Sequence, residues 1–165
     1  MALTPAQNAT LKAAIIADNT LNAFPNNSDG AFGIAALLNA TATPDYYVWR
    51  SSVATDEIML NGFDWTRVDN LTVGKARIWE WMTNLGRINP AQSNVRAGVI
   101  AAFPTSGDLA NRNAVFGHCQ RLATRAEKLF ATGTGTSSTD QGVGPSVMGF
   151  EGTLSYSDVE AARNS

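Results

Sequence analysis

Residues 71–86 read LTVGKARIWEWMTNLG and have the pattern of an amphipathic helix. At about 100° of rotation per residue, the apolar side chains collect on one face and the polar side chains on another. The apolar face holds Ile78, Trp81, Met82 and Leu85. The polar face holds Arg77, Glu80 and Asn84. Gly86 follows at a position where helices commonly end, so the pattern predicts a helix that stops there.

The next stretch, NPAQSNVRAGVIAAFP at 89–104, predicts a second helix of the same kind. Asn89 and Pro90 resemble a helix start, because asparagine caps helices and proline suits their first position. The apolar side chains that follow recur at helical spacing: Val95, Gly98, Val99, Ala102 and Phe103. A glycine within such a stripe favours close approach of two backbones, so we expect Gly98 to face a neighbouring helix.

Two further helices are predicted towards the N-terminus. Thr4, Pro5 and Gln7 form a start signal in which Thr4 caps the helix and Gln7 bonds back to the cap. This helix is expected to run to about Asp18. Asp29 is placed to cap a short helix, AFGIAALLNA, whose composition predicts nearly complete burial.

The pattern is less regular elsewhere. TPDYYVWRSSV at 43–53 is the most strand-like piece, although an extended segment packed on helices would have the same composition. A long helical segment is predicted from Leu109 to Phe130. An interruption near Thr124 is the alternative, because Thr-Arg-Ala-Glu at 124–127 resembles a capping box.

Length and composition indicate one globular domain with an appendage. A chain of 165 residues supports one core of ordinary size. Hydrophobic residues make up 44% of it and charged residues only 16%, which favours burial of surface against neighbours. We therefore predict a mainly α protein. It consists of a small helical bundle over 1–131, a flexible linker, and an extended C-terminal arm that ends in a short helix.

The linker is predicted over 132–145, where Gly, Thr, Ser and Asp leave almost nothing to bury. The arm follows over 146–165. Ser155 and Asp158 form a capping signature for a helix of about eight residues, which is too short to be stable alone in water. We therefore expect the arm to dock, either on its own body or on a neighbouring subunit. Its apolar anchors are Val147, Phe150, Leu154, Tyr156 and Val159.

Charge is distributed unevenly, although the net charge is only −2. Residues 1–70 carry −4, residues 71–131 carry +5 and residues 132–165 carry −3. Such asymmetry fits an acidic tail packed on a basic body, contact between copies of the chain, or contact with nucleic acid. A continuous helix through this basic middle would align a stripe that is either a solvated face or a surface for phosphates or an acidic partner. The stripe consists of His118, Arg121, Arg125 and Lys128.

No group of residues indicates an active site. His118 and Cys119 are adjacent, but neighbouring helical side chains point about 100° apart, so Cys119 is expected to be a buried structural thiol. The single histidine has no clustered carboxylates beside it, and the GTGTSS run lacks the lysine of a phosphate-binding loop. We therefore predict no catalytic residue, no metal, no cofactor and no enzymatic activity.

The sequence also bears on location. No apolar run approaches the roughly 20 residues of a membrane helix, and the N-terminal stretch lacks the pattern of a signal peptide. A single cysteine excludes an internal disulfide. We expect a protein that is kept in a reducing compartment and has no membrane partner.

Three stretches resemble small proteins encoded among the structural genes of tailed bacteriophages and prophages. They are DEIMLNGFDWTRVDNLTVGKARIWEWMTNLGRINPAQSNVRAGVIAAF, RLATRAEKLFATGTGT and GFEGTLSYSDVEAAR, and the resemblance covers residues 54–163. It implies a virion or virion-assembly protein that is made in the cytoplasm of the bacterial host. Small helical proteins with an extended C-terminal arm are similar to the adaptors that form a ring beneath the portal at the head-tail junction.

The resemblance thus implies a head-tail connector (neck) subunit whose partners are copies of itself, the portal, and tail or neck proteins. In such a ring the arm would insert into a neighbouring subunit, and the basic middle would face packaged DNA or an acidic portal surface. A capsid decoration protein or a tail-assembly protein is one alternative. A small DNA-binding regulator that uses a basic helix from Asn111 to Lys128 is another, although the acidic isoelectric point argues against it.

Overall fold

The computed structural model describes residues 3–60 and 62–165. About 54% of the chain is helical, so the predicted mainly α fold is confirmed. A 3₁₀ turn at Ser106–Asp108 precedes α8. In chain order the elements of the described residues are α1 Pro5–Ala17, α2 Asn19–Asn22, α3 Ser28–Asn39, β1 Tyr47–Trp49, β2 Val53–Ala54, α4 Thr55–Ile58, α5 Trp65–Asp69, α6 Val73–Asn84, β3 Arg87–Ile88, α7 Ser93–Ala102, α8 Leu109–His118, β4 Gln120–Leu122, α9 Arg125–Leu129, β5 Ala131–Thr132, β6 Val147–Met148 and α10 Tyr156–Asn164.

The chain divides into two compact units, each built from segments that are not consecutive in sequence. Unit 1 consists of the residues up to Tyr46, Leu122–Thr132 and Met148–Ser165. Unit 2 consists of Tyr47–Arg121 and Gly133–Val147. The chain therefore leaves unit 1 after α3 and returns to it twice.

This division differs from the predicted one, which placed a single core in 1–131, a linker in 132–145 and an arm in 146–165. The difference arises because helical periodicity reports which face of a helix is buried and carries no information about the segment that covers it. Most of the predicted linker belongs to unit 2, and most of the predicted arm belongs to unit 1.

Unit 1 begins with the helix start predicted from the sequence. The Gln7 N–H donates to Thr4 Oγ1 at 3.2 Å, and the Thr4 N–H donates to Gln7 Oε1 at 2.9 Å, which completes the capping box. Such a cap satisfies backbone donors that have no partner within the helix. The core of unit 1 is mainly aliphatic. Its buried residues are Leu11, Ile15, Leu21, Ala31, Ile34, Ala35, Leu38, Ala126, Leu154, Val159 and Ala162.

The C-terminal segment closes this core. α10 packs against α1 and α3 and begins at the predicted capping box of Ser155 and Asp158. The Leu154 backbone exchanges two hydrogen bonds with the Asn39 amide, at 2.8 and 2.9 Å. The Arg163 guanidinium donates to the carbonyls of Phe24 and Pro25. Of the two docking modes left open by the sequence, the chain adopts docking of the arm on its own body.

Unit 2 has an aromatic core. Trp79 of α6 stacks on Phe63 with ring centroids 5.3 Å apart, and it meets Phe103 edge-on at 5.0 Å. Trp49 meets Phe116 edge-on at 5.9 Å. The strand-like stretch at 43–53 contributes β1 and the start of β2, and β2 pairs antiparallel with β3 through Val53 and Ile88.

α6 and α7 pack against each other in unit 2. A Cβ atom on Gly98 would lie 3.1 Å from Met82 Sδ, so the close approach predicted at Gly98 is present. The predicted start of α7 at Asn89 and Pro90 is wrong, since the helix begins at Ser93. The reason is local: Asn89 Oδ1 accepts from the Ala91 N–H at 3.0 Å, and Arg96 takes up the carbonyls of Pro90 and Ala91. These bonds hold the segment as a turn.

The segment from Leu109 to Phe130 is interrupted, as the second of the two predictions had it. α8 ends at His118, β4 follows, and α9 begins after Thr124. The capping box is present, because the Glu127 N–H donates to Thr124 Oγ1 at 3.1 Å and the Thr124 N–H donates to Glu127 Oε2 at 3.0 Å.

The segment 132–145 contains no helix, as its composition predicts. It nevertheless makes specific contacts within unit 2. Asp140 forms an ion pair with the buried Arg112 at 3.1 Å, and the Ser138 N–H donates to the Gln120 side chain at 2.7 Å. At Gly142, φ is +64° and a Cβ atom would lie 2.9 Å from the Phe116 ring, so glycine is required there.

Candidate interaction surfaces

The outward face of α6 exposes a row of large side chains. At about 100° per residue, Trp81 lies about 160° around the helix from the buried Trp79. Trp79 is 5% exposed, whereas Trp81 is 69% exposed. Val73 and Leu85 are 72% and 74% exposed, and Arg77 is exposed between them. Val73, Arg77, Trp81 and Leu85 follow one another at intervals of four residues and form what we call the α6 ridge.

The α6 ridge corrects the face predicted for this helix. The sequence places Ile78, Trp81, Met82 and Leu85 together, but burial is centred on Trp79, which packs between Phe63 and Phe103. Ile78 and Met82 are half-buried at one edge of the packed face. Trp81 and Leu85 therefore extend the apolar surface of α6 beyond the part that its own unit covers.

Two charged side chains lie on or beside the α6 ridge. Arg77 is part of it, and Glu80 is exposed next to it. Neither side chain forms an ion pair with any residue that the structure describes. The surface therefore combines exposed apolar groups with one cation and one anion that no described neighbour neutralises.

Unit 1 exposes an aromatic pair. Phe32 of α3 stacks on Tyr156 at the start of α10, with ring centroids 4.3 Å apart and planes inclined by 23°. The two residues are 56% and 40% exposed. The stacking holds both rings in place at the surface, so little side-chain entropy remains to be lost when another surface covers them.

Unit 1 also contains an open groove of about 450 Å³. Its lining consists of Ala14, Asp18, Leu21, Leu38, Ala42, Thr43, Arg125, Lys128 and Leu129. Arg125 pairs with Asp18 at 2.8 Å, and the Lys128 ammonium lies 5.2 Å from the centre of the Tyr46 ring. Asp18 caps α2, and the hydrogen bond from the Leu21 N–H is the main cause that lowers the pKa of its carboxyl. Most polar groups of the groove therefore serve the fold of unit 1.

The predicted basic stripe is not a single helical face. His118 ends α8, Arg121 lies in β4, and Arg125 and Lys128 belong to α9. The condition for a continuous stripe is therefore not met, because β4 interrupts the helix that would have aligned the four residues. Arg125 and Lys128 share the groove of unit 1, while His118 and Arg121 belong to unit 2.

Cys119 is buried, as the sequence predicts. Burial raises the pKa of its thiol to about 12, so the thiol stays protonated at neutral pH. Its carbonyl accepts from the Arg50 N–H at 2.9 Å, and the His118 carbonyl accepts from the Arg50 guanidinium. The pair thus contributes backbone acceptors to unit 2.

The predicted arm anchors fall into two groups. Leu154 and Val159 are fully buried in the core of unit 1, and Phe150 packs at its edge beside Phe130 at 5.6 Å. Val147 and Tyr156 are exposed. Only the second group is accessible to a partner in the chain as it is folded here.

Among residues 3–60 and 62–165, no three or more His, Cys, Asp or Glu side chains are grouped so as to hold a metal ion. None of the helices in the described part of the chain has both the length and the apolar character of a membrane-spanning helix. Comparisons with protein-family models, with curated proteins and with solved structures give no match.

Proposed function

We propose that the chain is a non-enzymatic structural protein of the virion of a tailed bacteriophage. Within the particle it serves as a subunit of the ring that connects the portal to the tail. The observation that carries the proposal is that both units expose large apolar side chains, Phe32 and Tyr156 on unit 1 and Trp81 and Leu85 on unit 2. Exposed apolar groups of this size are typical of surfaces that another protein covers.

A ring places particular demands on its subunits. Head-to-tail contacts are heterologous, so each subunit needs two different surfaces. Unit 1 supplies one of them in its aromatic pair, and unit 2 supplies the other in apolar side chains that it exposes outside α6, such as Leu60 and Trp65. The low proportion of charged residues, 16%, also suits a chain whose surface becomes buried in an assembly.

The position of the arm refines the proposal. Leu154 and Val159 belong to the core of unit 1, so contact with a neighbouring subunit is made by the surface that the arm helps to form. Phe32 and Tyr156 are the residues of that surface that we expect to touch a neighbour. Contacts with packaged DNA are non-specific and use scattered exposed basic side chains such as Arg87 rather than one continuous basic helix.

The test is quantitative mass spectrometry of purified particles from the phage or prophage that encodes the chain. A copy number equal to that of the portal, or in a fixed ring ratio to it, supports a connector. A copy number that matches the major coat protein or the tail tube favours the decoration or tail-assembly alternative and overturns the connector. Complete absence from the particle overturns the virion role and favours the DNA-binding regulator.

A second experiment tests the contact surface. Phe32→Ala and Tyr156→Ala are expected to reduce incorporation of the chain into particles, because each removes half of the exposed pair. Ile16→Ala is a control, since Ile16 is an exposed apolar residue of the same unit that is not part of the pair. Full incorporation of both aromatic variants would exclude the pair as a contact.

A further inference from the structure

We infer that the α6 ridge pairs with the α6 ridge of a second copy of this chain in an antiparallel, two-fold contact. This inference is independent of the proposed function, because a self-contact of this kind forms whether or not the chain enters a virion. Three features of α6 support the contact: the order of its exposed side chains, the charges of Arg77 and Glu80, and the position of Gly74.

The side chains of the α6 ridge are ordered so that the ridge can pair with an antiparallel copy of itself. Residue 79 lies midway between Val73 and Leu85 and also midway between Arg77 and Trp81. Consider two α6 helices that run antiparallel, with the two-fold axis crossing them at the level of residue 79 on their exposed faces. Val73 then faces Leu85 of the second copy. Arg77 faces Trp81 of the second copy, and the symmetry repeats both pairs.

The charges on this face are also self-complementary. Arg77 in the register above lies over the indole of Trp81 and beside the carboxylate of Glu80 of the second copy, so one guanidinium gains a cation–π contact and an ion pair. Both charges are exposed and neither has an ion-pair partner among the described residues. A polyanion such as DNA would be repelled by Glu80, and a strongly basic surface would be repelled by Arg77, whereas a second copy satisfies both.

Gly74 lies on the same face. A Cβ atom there would meet no atom of the chain within 4 Å, so the fold of this chain does not require glycine. Glycine within a helix is less favourable than alanine, and a position without a side chain lets another backbone approach closely. In the antiparallel register Gly74 faces Asn84 of the second copy.

The geometry is an ordinary one for helices. Rows of side chains at intervals of four are inclined to the helix axis, and two such rows pack side by side when the axes cross at about −50°. The ridge extends for about 18 Å at 1.5 Å per residue. A standard interface buries about 800 Å² on each partner, so the α6 ridge supplies its apolar centre and the polar residues around it supply the rim.

A two-fold contact closes with two copies and does not propagate. A ring of this chain would therefore make its lateral contacts with the aromatic pair of unit 1 and with apolar side chains of unit 2 outside α6, and the α6 contact would join subunits in pairs. Failure of the α6 contact would leave the virion role untouched, because particle composition and the association of the purified chain are measured separately.

The experiment is sedimentation velocity of the purified full-length chain over a range of concentrations. The wild-type chain is expected to dimerise reversibly. Trp81→Ala should weaken the dimer by about tenfold or more, since large aromatic side chains near the centre of an interface dominate its affinity. Leu85→Ala, at the end of the ridge, should weaken it less. Ile16→Ala, which removes an exposed apolar side chain of unit 1 outside both proposed contacts, is the control and should leave the dimer unchanged.

Charge reversal tests the register and the symmetry together. Arg77→Glu places two carboxylates against each other across the axis, and Glu80→Arg places two guanidinium groups there, so either variant alone should be monomeric at concentrations where the wild type dimerises. An equimolar mixture of the two variants should restore a heterodimer, because both cross-axis pairs become opposite in sign. The double variant R77E/E80R should also dimerise.

A wild-type chain that stays monomeric at about 100 μM would overturn the inference. So would a dimer that Trp81→Ala leaves intact, because self-association would then use another surface. A dimer that responds to Trp81→Ala but is not restored by mixing the two charge variants would exclude the antiparallel register. Circular dichroism checks that each variant is folded, which the exposure of these side chains leads us to expect.

Discussion

The two units solve the same problem of burial in different ways. Unit 1 has a mainly aliphatic core that segments from both ends of the chain enclose, and α10 covers α1 and α3. Unit 2 is drawn mostly from one continuous stretch and has an aromatic core around Trp79 and Phe103. Of the large apolar side chains that are exposed in the described chain, eight lie in unit 2 and four in unit 1, so unit 2 offers more surface to a partner.

Different parts of the sequence determine how the core of each unit is closed and which side chains stay exposed. In unit 1 a segment far away in sequence completes the core, so its stability depends on the C-terminus. In unit 2, α6 presents two tryptophans to opposite environments. The predictions below test how independent these two arrangements are.

The largest effect is expected from removal of Met148–Ser165. This truncation takes Leu154, Val159 and Ala162 out of the core of unit 1 and exposes the faces of α1 and α3 that they cover. We expect unit 1 to unfold while unit 2 keeps its core. Hydrogen exchange followed by mass spectrometry should show loss of protection in α1 and α3 and retained protection in α6 and α7.

A single substitution in the C-terminal segment also tests whether this segment stabilises unit 1. Leu154→Ala should lower the free energy of unfolding by about 2–5 kcal/mol, since it leaves a cavity in a well-packed core. Tyr156→Ala is the control, because that side chain is 40% exposed. Protection of α1 and α3 that survived the truncation would show that the C-terminal segment does not close unit 1.

The second effect compares two tryptophans of one helix. Trp79→Ala should cost about 3–5 kcal/mol of stability, because the ring is buried between Phe63 and Phe103. Trp81→Ala should change the stability of the monomer by no more than about 0.5 kcal/mol. Urea unfolding, at a protein concentration too low for dimerisation, measures the free energy of unfolding of both variants. Equal losses of stability would contradict the assignment of the two faces of α6.

Cys119 gives a separate readout for unit 2 in this experiment. Its thiol is buried and protonated at neutral pH, so a thiol reagent should react with it only when unit 2 opens. Trp79→Ala should accelerate the reaction strongly, and Trp81→Ala should leave its rate unchanged. Fast labelling of the wild-type chain would contradict burial of the thiol.

Much of this fold is predictable because local signals determine it. The capping boxes at Thr4, Thr124 and Ser155 depend on residues three apart, and each is present. The pattern at Asn89 predicts a helix start, but the segment is a turn. The side chain of Arg96, seven residues further on, donates to the Pro90 and Ala91 carbonyls that a helix would use. The local sequence pattern at 89–92 gives no sign that a distant side chain will bind these carbonyls.

The candidate surfaces were only partly predictable. Periodicity grouped Trp81 and Leu85 with half-buried residues, but only the packing of Trp79 determines which side of α6 is covered. One signal in the sequence was available: the apolar residues of 71–86 extend too far around the helix for a single packed face. The pairing of Phe32 with Tyr156 joins residues far apart in sequence, and no local pattern indicates it.

The third effect concerns the hydrogen-bonded contact between α9 and the C-terminal segment of unit 1. The Glu127 carboxylate is buried and accepts from the Thr124 N–H and from the Gly152 N–H at 3.2 Å. Glu127→Gln turns an amide NH₂ towards one of these donors and should cost about 1–3 kcal/mol. Glu160→Gln, whose carboxylate meets Ser28 at the surface, is the matched control and should have a smaller effect in thermal unfolding.

The smallest effect is a dependence of stability on pH through Asp18. The hydrogen bond from the Leu21 N–H is the main cause that lowers the pKa of this carboxyl, and the Arg125 guanidinium adds to it. A carboxyl whose pKa is lower in the folded chain contributes stability above its unfolded pKa of about 3.9, and that stability is lost as pH falls through the folded value. The chain with Asp18→Asn has no such contribution. The stability difference between the wild type and Asp18→Asn should therefore be largest at neutral pH and should shrink as the pH falls below about 3.9.

Salt distinguishes the two causes of this dependence. A difference that comes mainly from backbone hydrogen bonds at the start of α2 should persist in about 0.5 M NaCl, since short-range bonds are not screened, whereas the contribution of the Arg125 pair should fall. Urea titrations from pH 7 to pH 2.5, with and without salt, measure it. Disappearance of the whole difference in salt would show that the ion pair dominates, and α2 would then owe its start to Arg125 rather than to the cap.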